Sequence, residues 1–271
     1  GFVYMERGLT WAMKYGLGVS LDFHPVPPPA FEKSPEQFER FKTLWVELTK
    51  RFKAWPKSLI FELMNEPRVE NTASWKKMVT ELCAAIHAVD PDRWIIVTGP
   101  RWGGSGDLAE MGPLREKNVI YTFHCYDPFP FTHQGASWAG KAMEPLKGFR
   151  YPVDEAQMLD EIEKAQREDR EIWPMQNYMK GGTLDAIKGA IAPALNLGQE
   201  NGVPLYCGEF GVYKRPSPPA DRARWIKDVR TLMESKGVGW AMWDYKGGFT
   251  LLGDDGRPDP AVLSALGLRV P

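Results

Sequence analysis

Six short runs of apolar and β-branched residues recur along the chain, separated by longer stretches that mix charged and apolar residues. Runs of this length, bounded by glycine, proline and polar residues, are typical of buried β-strands. Several are almost continuously apolar, which indicates strands that are covered on both faces. The predicted strands span residues 18–24, 59–66, 94–98, 119–126, 204–209 and 238–245.

The stretches between these runs have the periodicity of amphipathic helices. Residues 35–52 place phenylalanine, leucine and tryptophan three and four positions apart, behind Ser34 as a cap and a proline in the first turn. The same spacing recurs in residues 74–89 and 219–236, and Gly237 ends the second of these. Strands that alternate with helices predict an α/β fold with a parallel sheet. Further helices are predicted over residues 2–15, 155–168, 183–197 and 259–268.

No linker, repeat or low-complexity segment divides the sequence, so we expect one domain over residues 1–271. The gap between the fourth and fifth predicted strands is far longer than one crossover needs. We expect residues 127–203 to form an insertion at the carboxyl face of the sheet, where long insertions shape binding clefts. The alternative is a scaffold element that contacts no ligand.

Composition narrows the classes of partner. The chain has 271 residues, of which 43% are hydrophobic and 25% charged, as in an ordinary globular domain. The formal net charge of −1 gives no global attraction to nucleic acid, and no apolar run is long enough to span a bilayer, so neither nucleic acid nor a membrane is expected as a partner. Eleven tryptophans suit stacking on sugar rings, although several must belong to the core. The three cysteines are predicted to be buried thiols: Cys83, Cys125 and Cys207.

Candidate catalytic groups lie where two of the predicted strands end. The segment 62–67, Glu-Leu-Met-Asn-Glu-Pro, closes the second strand, because Pro67 has no N–H to continue a ladder. The fifth strand ends at Glu209. In parallel α/β folds the carboxyl ends of strands carry the functional residues. Two carboxyls that face each other across a cleft suit glycoside cleavage, in which one is protonated and the other ionised.

Other strand ends offer groups that suit a sugar site. Asn65 is placed to hydrogen-bond a sugar hydroxyl, and His24 ends the first strand. His124 and Tyr126 are two residues apart on one strand and therefore point to the same side, where they could orient a carboxylate and bind a hydroxyl. Trp243 could form the floor of the central subsite. A single strand-end histidine is often only structural, but here the strand ends share one face.

Taken in order, these motifs resemble glycoside hydrolase family 5 over residues 16–245 or so, most of the chain. This is the cellulase-type family of the clan with catalytic glutamates on strands four and seven of a (β/α)₈ barrel. The motifs that carry the resemblance are Leu-Asp-Phe-His at 21–24, Asn-Glu-Pro at 65–67, His-Cys-Tyr at 124–126, Gly-Glu-Phe-Gly at 208–211 and Trp243.

The resemblance implies a retaining enzyme without a metal or other cofactor, with Glu66 as general acid/base and Glu209 as nucleophile. It also implies a secreted or periplasmic location and a β-glucan polysaccharide or oligosaccharide as substrate. The central sugar subsite is expected to contain His24, Asn65, His124, Tyr126 and Trp243. Flanking subsites are expected at Trp102, Trp138 or Trp173, and the alternative for each of these three is core packing.

The (β/α)₈ barrel that the resemblance implies has two βα units ahead of the strand that ends in His24, so only about six of eight units are predicted here. The second strand of such a barrel brings an arginine that hydrogen-bonds the nucleophile, and no residue of this sequence corresponds to it. Open sheet edges are expected at residues 18–24 and 238–245. Three explanations stay open: a fragment, a short form whose edges are covered in a homo-oligomer, or loss of the amino-terminal part after folding.

The leading functional prediction is endo-hydrolysis of β-1,4-glucan. The same mechanism on mannan, β-1,3-glucan, xyloglucan or a glycolipid is the first alternative, because substrate choice lies in the loops. The second is a carbohydrate-binding remnant that has lost turnover. A metallohydrolase is the third, and the spacing of the four histidines is poor for metal ligands.

Overall fold

The computed structural model describes residues 2–269, so Gly1, Val270 and Pro271 lie outside the described part of the chain. The chain divides into two compact units, each assembled from two segments. The first unit consists of Gly1–Phe123 and Asn196–Leu205, and the second of His124–Leu195 and Tyr206–Pro271. The single domain expected from the sequence therefore stays a prediction.

The first unit alternates strands with helices, as the hydrophobic pattern predicts. Its strands are parallel and pair in chain order, with Val19 opposite Leu59 and Ile95 opposite Val119. The strands are β1 (Val19–Asp22), β2 (Leu59–Glu62), β3 (Ile95–Thr98) and β4 (Val119–Cys125), whose last two residues belong to the second unit. The helices are α1 (Phe2–Lys14), α2 (Pro35–Phe52), α3 (Thr72–Val89) and α4 (Ser105–Met111).

The second unit contains the rest of the alternation and most of the long insertion. Its strands β5 (Leu205–Phe210), whose first residue belongs to the first unit, and β6 (Gly239–Met242) are parallel. Strand order in the sheet follows chain order from β1 to β6. Three of its helices come before β5 in the chain: α5 (Phe129–Thr132), α6 (Glu155–Arg167) and α7 (Trp173–Gly181). A fourth helix, α8 (Leu184–Asn201), begins in this unit, and its residues from Asn196 onward belong to the first unit. Two follow: α9 (Pro219–Ser235) and α10 (Pro260–Ala265).

Helix α2 shows why the helical predictions hold. The Ser34 side chain accepts a hydrogen bond from the Gln37 N–H, and the proline in the first turn needs no partner for its nitrogen. The buried face consists of the residues that set the periodicity, and the indole N–H of Trp45 donates to the Leu63 carbonyl at 3.1 Å. This bond fixes the backbone just beyond β2, where the candidate residues lie.

Four of the strands end earlier than predicted, whereas β3 ends at the predicted residue and β5 one residue later. β2 stops at Glu62, four residues before the predicted end, and its paired register with β1 and with β3 ends at the same residue. Beyond the ladder, the Leu63 N–H donates to the Ile96 carbonyl and the Asn65 N–H to the Phe23 carbonyl, each at 3.1 Å, and the chain bends at Asn65 and Glu66. The Asn65 backbone is therefore hydrogen-bonded to the residue that follows β1, and both Asn65 and Glu66 lie beyond the β2 ladder.

The insertion is largely helical and is fixed by buried hydrogen bonds. The Gln134 side chain accepts from the Phe149 N–H at 2.8 Å and donates to the Phe131 carbonyl at 3.0 Å. Arg150 pairs with the buried Asp221 at 2.6 Å. Residues 127–203 are thus an ordered element, and their position relative to a ligand stays a prediction.

Two further predictions can be compared with the described residues. All three cysteines are buried free thiols, as predicted. Within residues 2–269, no helix has the length and apolar character needed to cross a membrane.

Large exposed apolar side chains are frequent on α1 and the turn after it: Phe2, Val3, Tyr4, Trp11, Tyr15 and Leu17. A homo-oligomer that covers this edge stays a prediction.

Candidate active site

In the first unit, Asn65 belongs to a chain of hydrogen bonds at the carboxyl ends of β1 and β2. Its side-chain nitrogen lies 3.0 Å from Nε2 of His24, and Nδ1 of His24 lies 2.9 Å from an Asp22 oxygen. Because the amide donates to Nε2, the proton of the neutral ring is assigned to Nδ1, which donates to Asp22. Asn65 is buried, so this chain holds its amide in one orientation beside Glu66.

Glu66 is half-buried, and directly after it the loop that follows β2 pairs with the loop that follows β3. The Pro67 carbonyl accepts from the Trp102 N–H at 3.1 Å, and Arg68 and Arg101 form an isolated antiparallel bridge. The loop after β2 is therefore tied to the loop after β3 immediately beyond the carboxyl group of interest.

Glu62 is a buried carboxyl for which the sequence analysis proposes no role. It ends β2 opposite Asp22 and accepts a hydrogen bond from the Ser20 hydroxyl at 3.0 Å. An acidic residue inside an otherwise apolar strand is the signal that would have identified it, because an unpartnered buried carboxylate is costly.

In the second unit, Glu209 on β5 is 8% exposed, and two side chains approach the same carboxylate oxygen. The Tyr126 hydroxyl donates to Oε2 at 2.8 Å, and Nδ1 of His124 lies 3.6 Å from it. The hydrogen bond from Tyr126 orients this carboxylate oxygen, and a carboxylate in its ionised form can attack carbon. The structure thus brings together three of the predicted site residues.

Tyr126 is held by neighbours that the sequence analysis did not include in the site. Its carbonyl accepts from the Thr132 hydroxyl at 2.6 Å. Its ring meets His133 edge-on at 5.0 Å between centroids and Phe249 at 5.7 Å. Phe249 is far from Tyr126 in sequence, and nothing in the sequence places the nearby His133 against the phenol, so only the folded chain identifies the two contacts. Together they fix the phenol that donates to Glu209.

Burial lowers the pKa of His133 to about 4, so its ring is neutral at ordinary pH. The unfolded chain binds a proton on this residue below about pH 6.5, while the folded chain does not until about pH 4. We therefore expect this group to reduce the free energy of unfolding by about 3 kcal/mol as the pH falls through that window. Urea denaturation at pH 7 and pH 4 measures the loss.

The His133→Phe variant is the control, because it keeps the aromatic contacts and cannot titrate. Its free energy of unfolding should fall by about 3 kcal/mol less than that of the wild type between the two pH values. All other titrating groups are common to the two proteins and cancel in this comparison. An equal pH dependence in both proteins would contradict the assignment.

The four predicted tryptophans are all partly exposed, which excludes complete core burial for the three flanking candidates. Trp243 follows β6, is 38% exposed, and donates its backbone N–H to Phe210. A Cβ on Gly211 would lie 2.3 Å from the Trp243 carbonyl, so only glycine allows this close approach. The others are 53%, 62% and 40% exposed: Trp102, Trp138 and Trp173.

The three flanking candidates have different surroundings. Trp102 belongs to the first unit and stacks with Arg68. Trp138 meets Tyr213 edge-on at 4.8 Å, and Tyr213 lies 5.8 Å from Phe249, so aromatic contacts connect it to the group around Tyr126. Trp173 begins α7, and its indole N–H bonds to Glu171.

Strands alternating with helices, together with acidic, amide and histidine groups beyond the strand ends, define a glycoside hydrolase of the α/β class. Residues 2–248 match the sequence model of the cellulase family, glycosyl hydrolase family 5, and the chain belongs to this family. The predicted family and the predicted α/β fold with six of the barrel's eight strands are thereby confirmed.

Relatives and solved structures agree with this assignment. The chain is 30% identical to Endoglucanase C of Acetivibrio thermocellus over 267 residues, which cover 95% of this chain and 77% of the relative. It is 26% identical to Endoglucanase 3 of Fibrobacter succinogenes, with 98% of this chain and 42% of the relative covered.

Among solved structures, cellulose synthase subunit Z of Clostridioides difficile superimposes with a TM-score of 0.80 at 27% identity, covering 98% of this chain and 79% of that one. A hyperthermophilic endo-β-1,4-glucanase in complex with substrate superimposes with a TM-score of 0.79 at 25% identity, covering 97% and 76%.

Proposed function

We propose that this chain is a retaining, endo-acting glycoside hydrolase that cleaves β-1,4-linked glucan, with Glu66 as general acid/base and Glu209 as nucleophile. The observation that carries the proposal is the Glu209 carboxylate, which is buried at the end of β5 and accepts the Tyr126 hydroxyl at 2.8 Å. The substrate is supported by the relatives, which are named endoglucanases.

In the first step, the protonated Glu66 donates to the glycosidic oxygen while Glu209 attacks the anomeric carbon. The C–O bond to the leaving sugar breaks, and a covalent glycosyl-enzyme forms. In the second step, ionised Glu66 takes a proton from water, the water oxygen attacks the same carbon, and Glu209 departs. Two inversions give net retention, and this chemistry requires carboxyls about 5–5.5 Å apart.

The neighbouring groups have distinct tasks in this scheme. Asn65, oriented through His24 and Asp22, offers its amide to a hydroxyl of the reacting sugar. Tyr126 holds the Glu209 oxygen and returns its hydrogen bond to the carboxylate when the intermediate breaks down. The His124 ring lies beside the same oxygen, with Nδ1 3.6 Å from it, and Trp243 forms the floor of the central subsite.

Outside the central subsite, Trp102, Trp138 and Trp173 offer exposed indole surface to the neighbouring glucosyl residues. A polymeric substrate does not enter cells, so we also propose a secreted or periplasmic location.

A substrate panel tests this proposal. Carboxymethylcellulose, β-mannan, β-1,3-glucan, xyloglucan and a glucosylated lipid are incubated with the chain, and reducing ends and viscosity are measured. We expect fastest release from carboxymethylcellulose, with viscosity falling before many ends appear, as internal cleavage requires. Faster release from another of these substrates would identify that compound, rather than β-1,4-glucan, as the preferred substrate of this glycoside hydrolase. Binding without release from any of them would contradict the enzymatic proposal and favour a carbohydrate-binding remnant.

A further inference from the structure

A cavity of about 430 Å³ lies in the second unit, between the loop that follows β5 and the loop that follows β6. Three basic side chains line it: Lys214, Arg215 and Lys246. Among the described residues, Asp254 is the only acidic one in its lining. Three positive charges against one negative charge leave the cavity with an excess of two, although the whole chain has a net charge of −1. A cavity of this kind attracts anions.

Only one of the three cations is bound to that carboxylate. Nζ of Lys214 lies 2.6 Å from the Asp254 carboxylate and also donates to the Leu252 carbonyl at 3.2 Å. The hydrogen bond and charge of Lys214, together with the charge of Arg215, lower the pKa of the Asp254 carboxyl, so it is ionised at neutral pH. Within residues 2–269, neither Arg215 nor Lys246 has an ion pair or a side-chain hydrogen bond. Both groups are therefore available to a further oxyanion.

A buried arginine joins the two walls of the cavity. Arg222 is 3% exposed, and its Nε donates to the Val212 carbonyl, beyond β5, at 3.1 Å. Its Nη2 donates to the carbonyls of Phe249 and of the residue after it, beyond β6, each at 2.7 Å. The two loops also pair directly, because the Lys214 N–H donates to the Gly248 carbonyl at 2.9 Å. The walls are thus fixed before a ligand arrives, which lowers the cost of binding.

Aromatic contacts connect this cavity to the candidate catalytic group of the second unit. Tyr213 lines the cavity and lies 5.8 Å from Phe249 between ring centroids. Phe249 lies 5.7 Å from Tyr126, which donates to Glu209. Trp138 meets Tyr213 edge-on at 4.8 Å. In the proposed function Trp138 contacts a glucosyl residue of the substrate, so groups attached to that part of the polysaccharide come close to the cavity.

We propose that this cavity binds an anionic group carried by the polysaccharide, a carboxylate or phosphate oxyanion on one of its glucosyl residues, a proposal that rests on the proposed function. Arg215 offers a planar fork of N–H donors and Lys246 a compact ammonium group, and both types of side chain recognise oxyanions. A neutral sugar would cover these cations without supplying a counter-charge, which costs hydration free energy. The preferred substrate is then a β-glucan in which some residues carry an acidic substituent.

The experiment compares two soluble polymers with the same β-1,4-glucan backbone. One is neutral hydroxyethylcellulose, and the other is cellulose in which part of the C6 carbons are oxidised to carboxylates. We expect Arg215→Gln and Lys246→Gln each to lower kcat/KM for the oxidised polymer by about fivefold at low ionic strength. The value for the neutral polymer should stay within about twofold of the wild type. Salt at about 0.5 M should weaken the wild-type preference for the oxidised polymer, because it screens exposed charges.

The products give a readout that a purely structural role would not change. Oligosaccharides released from the oxidised polymer are sequenced by mass spectrometry, and we expect a carboxylate at one fixed distance from the newly formed chain end. The double variant of Arg215→Gln and Lys246→Gln should lose this positional preference. An unchanged pattern in the double variant would overturn the proposal, as would an equal loss of kcat/KM on both polymers.

Lys227→Gln is the matched control, because Lys227 is an exposed lysine on α9 and its replacement changes the net charge by the same amount. It should leave both rates and the product pattern unchanged. Calorimetry separates a bound substituent from a free anion: tighter binding of inorganic phosphate or free glucuronate than of oxidised cello-oligosaccharides would overturn the proposal. Absence of hydrolysis of both polymers by the wild type would instead contradict the proposed function, and the calorimetric preference for oxidised over neutral oligosaccharides would then decide the proposal for the cavity.

Discussion

Glu209→Gln should lower kcat on cellotetraose by at least about 10⁴-fold, as expected when a covalent nucleophile is removed. Glutamine has the same shape, and its amide oxygen still accepts the Tyr126 hydroxyl, so the fold around β5 is retained. What is lost is the ionised oxygen that attacks the anomeric carbon. Initial rates of reducing-sugar release over a range of substrate concentrations give the change in kcat.

Glu200→Gln is the matched control, because Glu200 is an exposed carboxylate at the end of α8. It should keep wild-type rates, and both variants should unfold at the same temperature as the wild type. Full hydrolytic activity in Glu209→Gln would refute its role as nucleophile.

Glu66→Ala should show a loss that depends on the leaving group. On cellotetraose, kcat/KM should fall by about 10²–10⁴-fold, since the departing sugar oxygen is no longer protonated. On 2,4-dinitrophenyl β-cellobioside the first step needs little protonation, so a burst of dinitrophenol should precede slow turnover. Azide needs no general base, and it should restore the steady rate and yield β-cellobiosyl azide.

The configuration of the azide product distinguishes the two carboxyls. With Glu66→Ala, azide attacks the glycosyl-enzyme and gives the β-azide, whereas azide acting in place of the missing Glu209 would give the α-azide directly. Proton NMR of the product resolves the two anomers. An α-azide from Glu66→Ala, or no azide effect on its steady rate, would contradict the acid/base assignment.

The sequence was sufficient for those elements whose ends are set by local chemistry. Helix α2 has its predicted bounds because Ser34 caps the first turn and the periodic apolar face continues to Phe52. Strand ends were less predictable: β2 ends at Glu62, because the ladder depends on both neighbouring strands rather than on the apolar run. Asn65 and Glu66, predicted as the last two residues of this strand, lie three and four residues beyond its end.

Within the site, the sequence identified groups by type and order but missed those that act through tertiary contacts. Tyr126 and Glu209 are brought together as predicted. Phe249 was not identified, since its contact with Tyr126 joins distant parts of the chain, and His133 was not, since the sequence does not show that its ring packs against the phenol. The basic cavity between the loops after β5 and β6 was missed as well, because only tertiary contacts join its walls.

The most direct test of the double-displacement account is to trap its covalent intermediate. In 2,4-dinitrophenyl 2-deoxy-2-fluoro-β-cellobioside, the fluorine slows both oxocarbenium-like steps, and the activated leaving group lets only the first proceed at a useful rate. Mass spectrometry of the inactivated chain and its peptides locates the label. The account predicts one fluorocellobiosyl group per chain on Glu209. A label on another carboxyl group, or no label on a chain that hydrolyses cellotetraose, would contradict it.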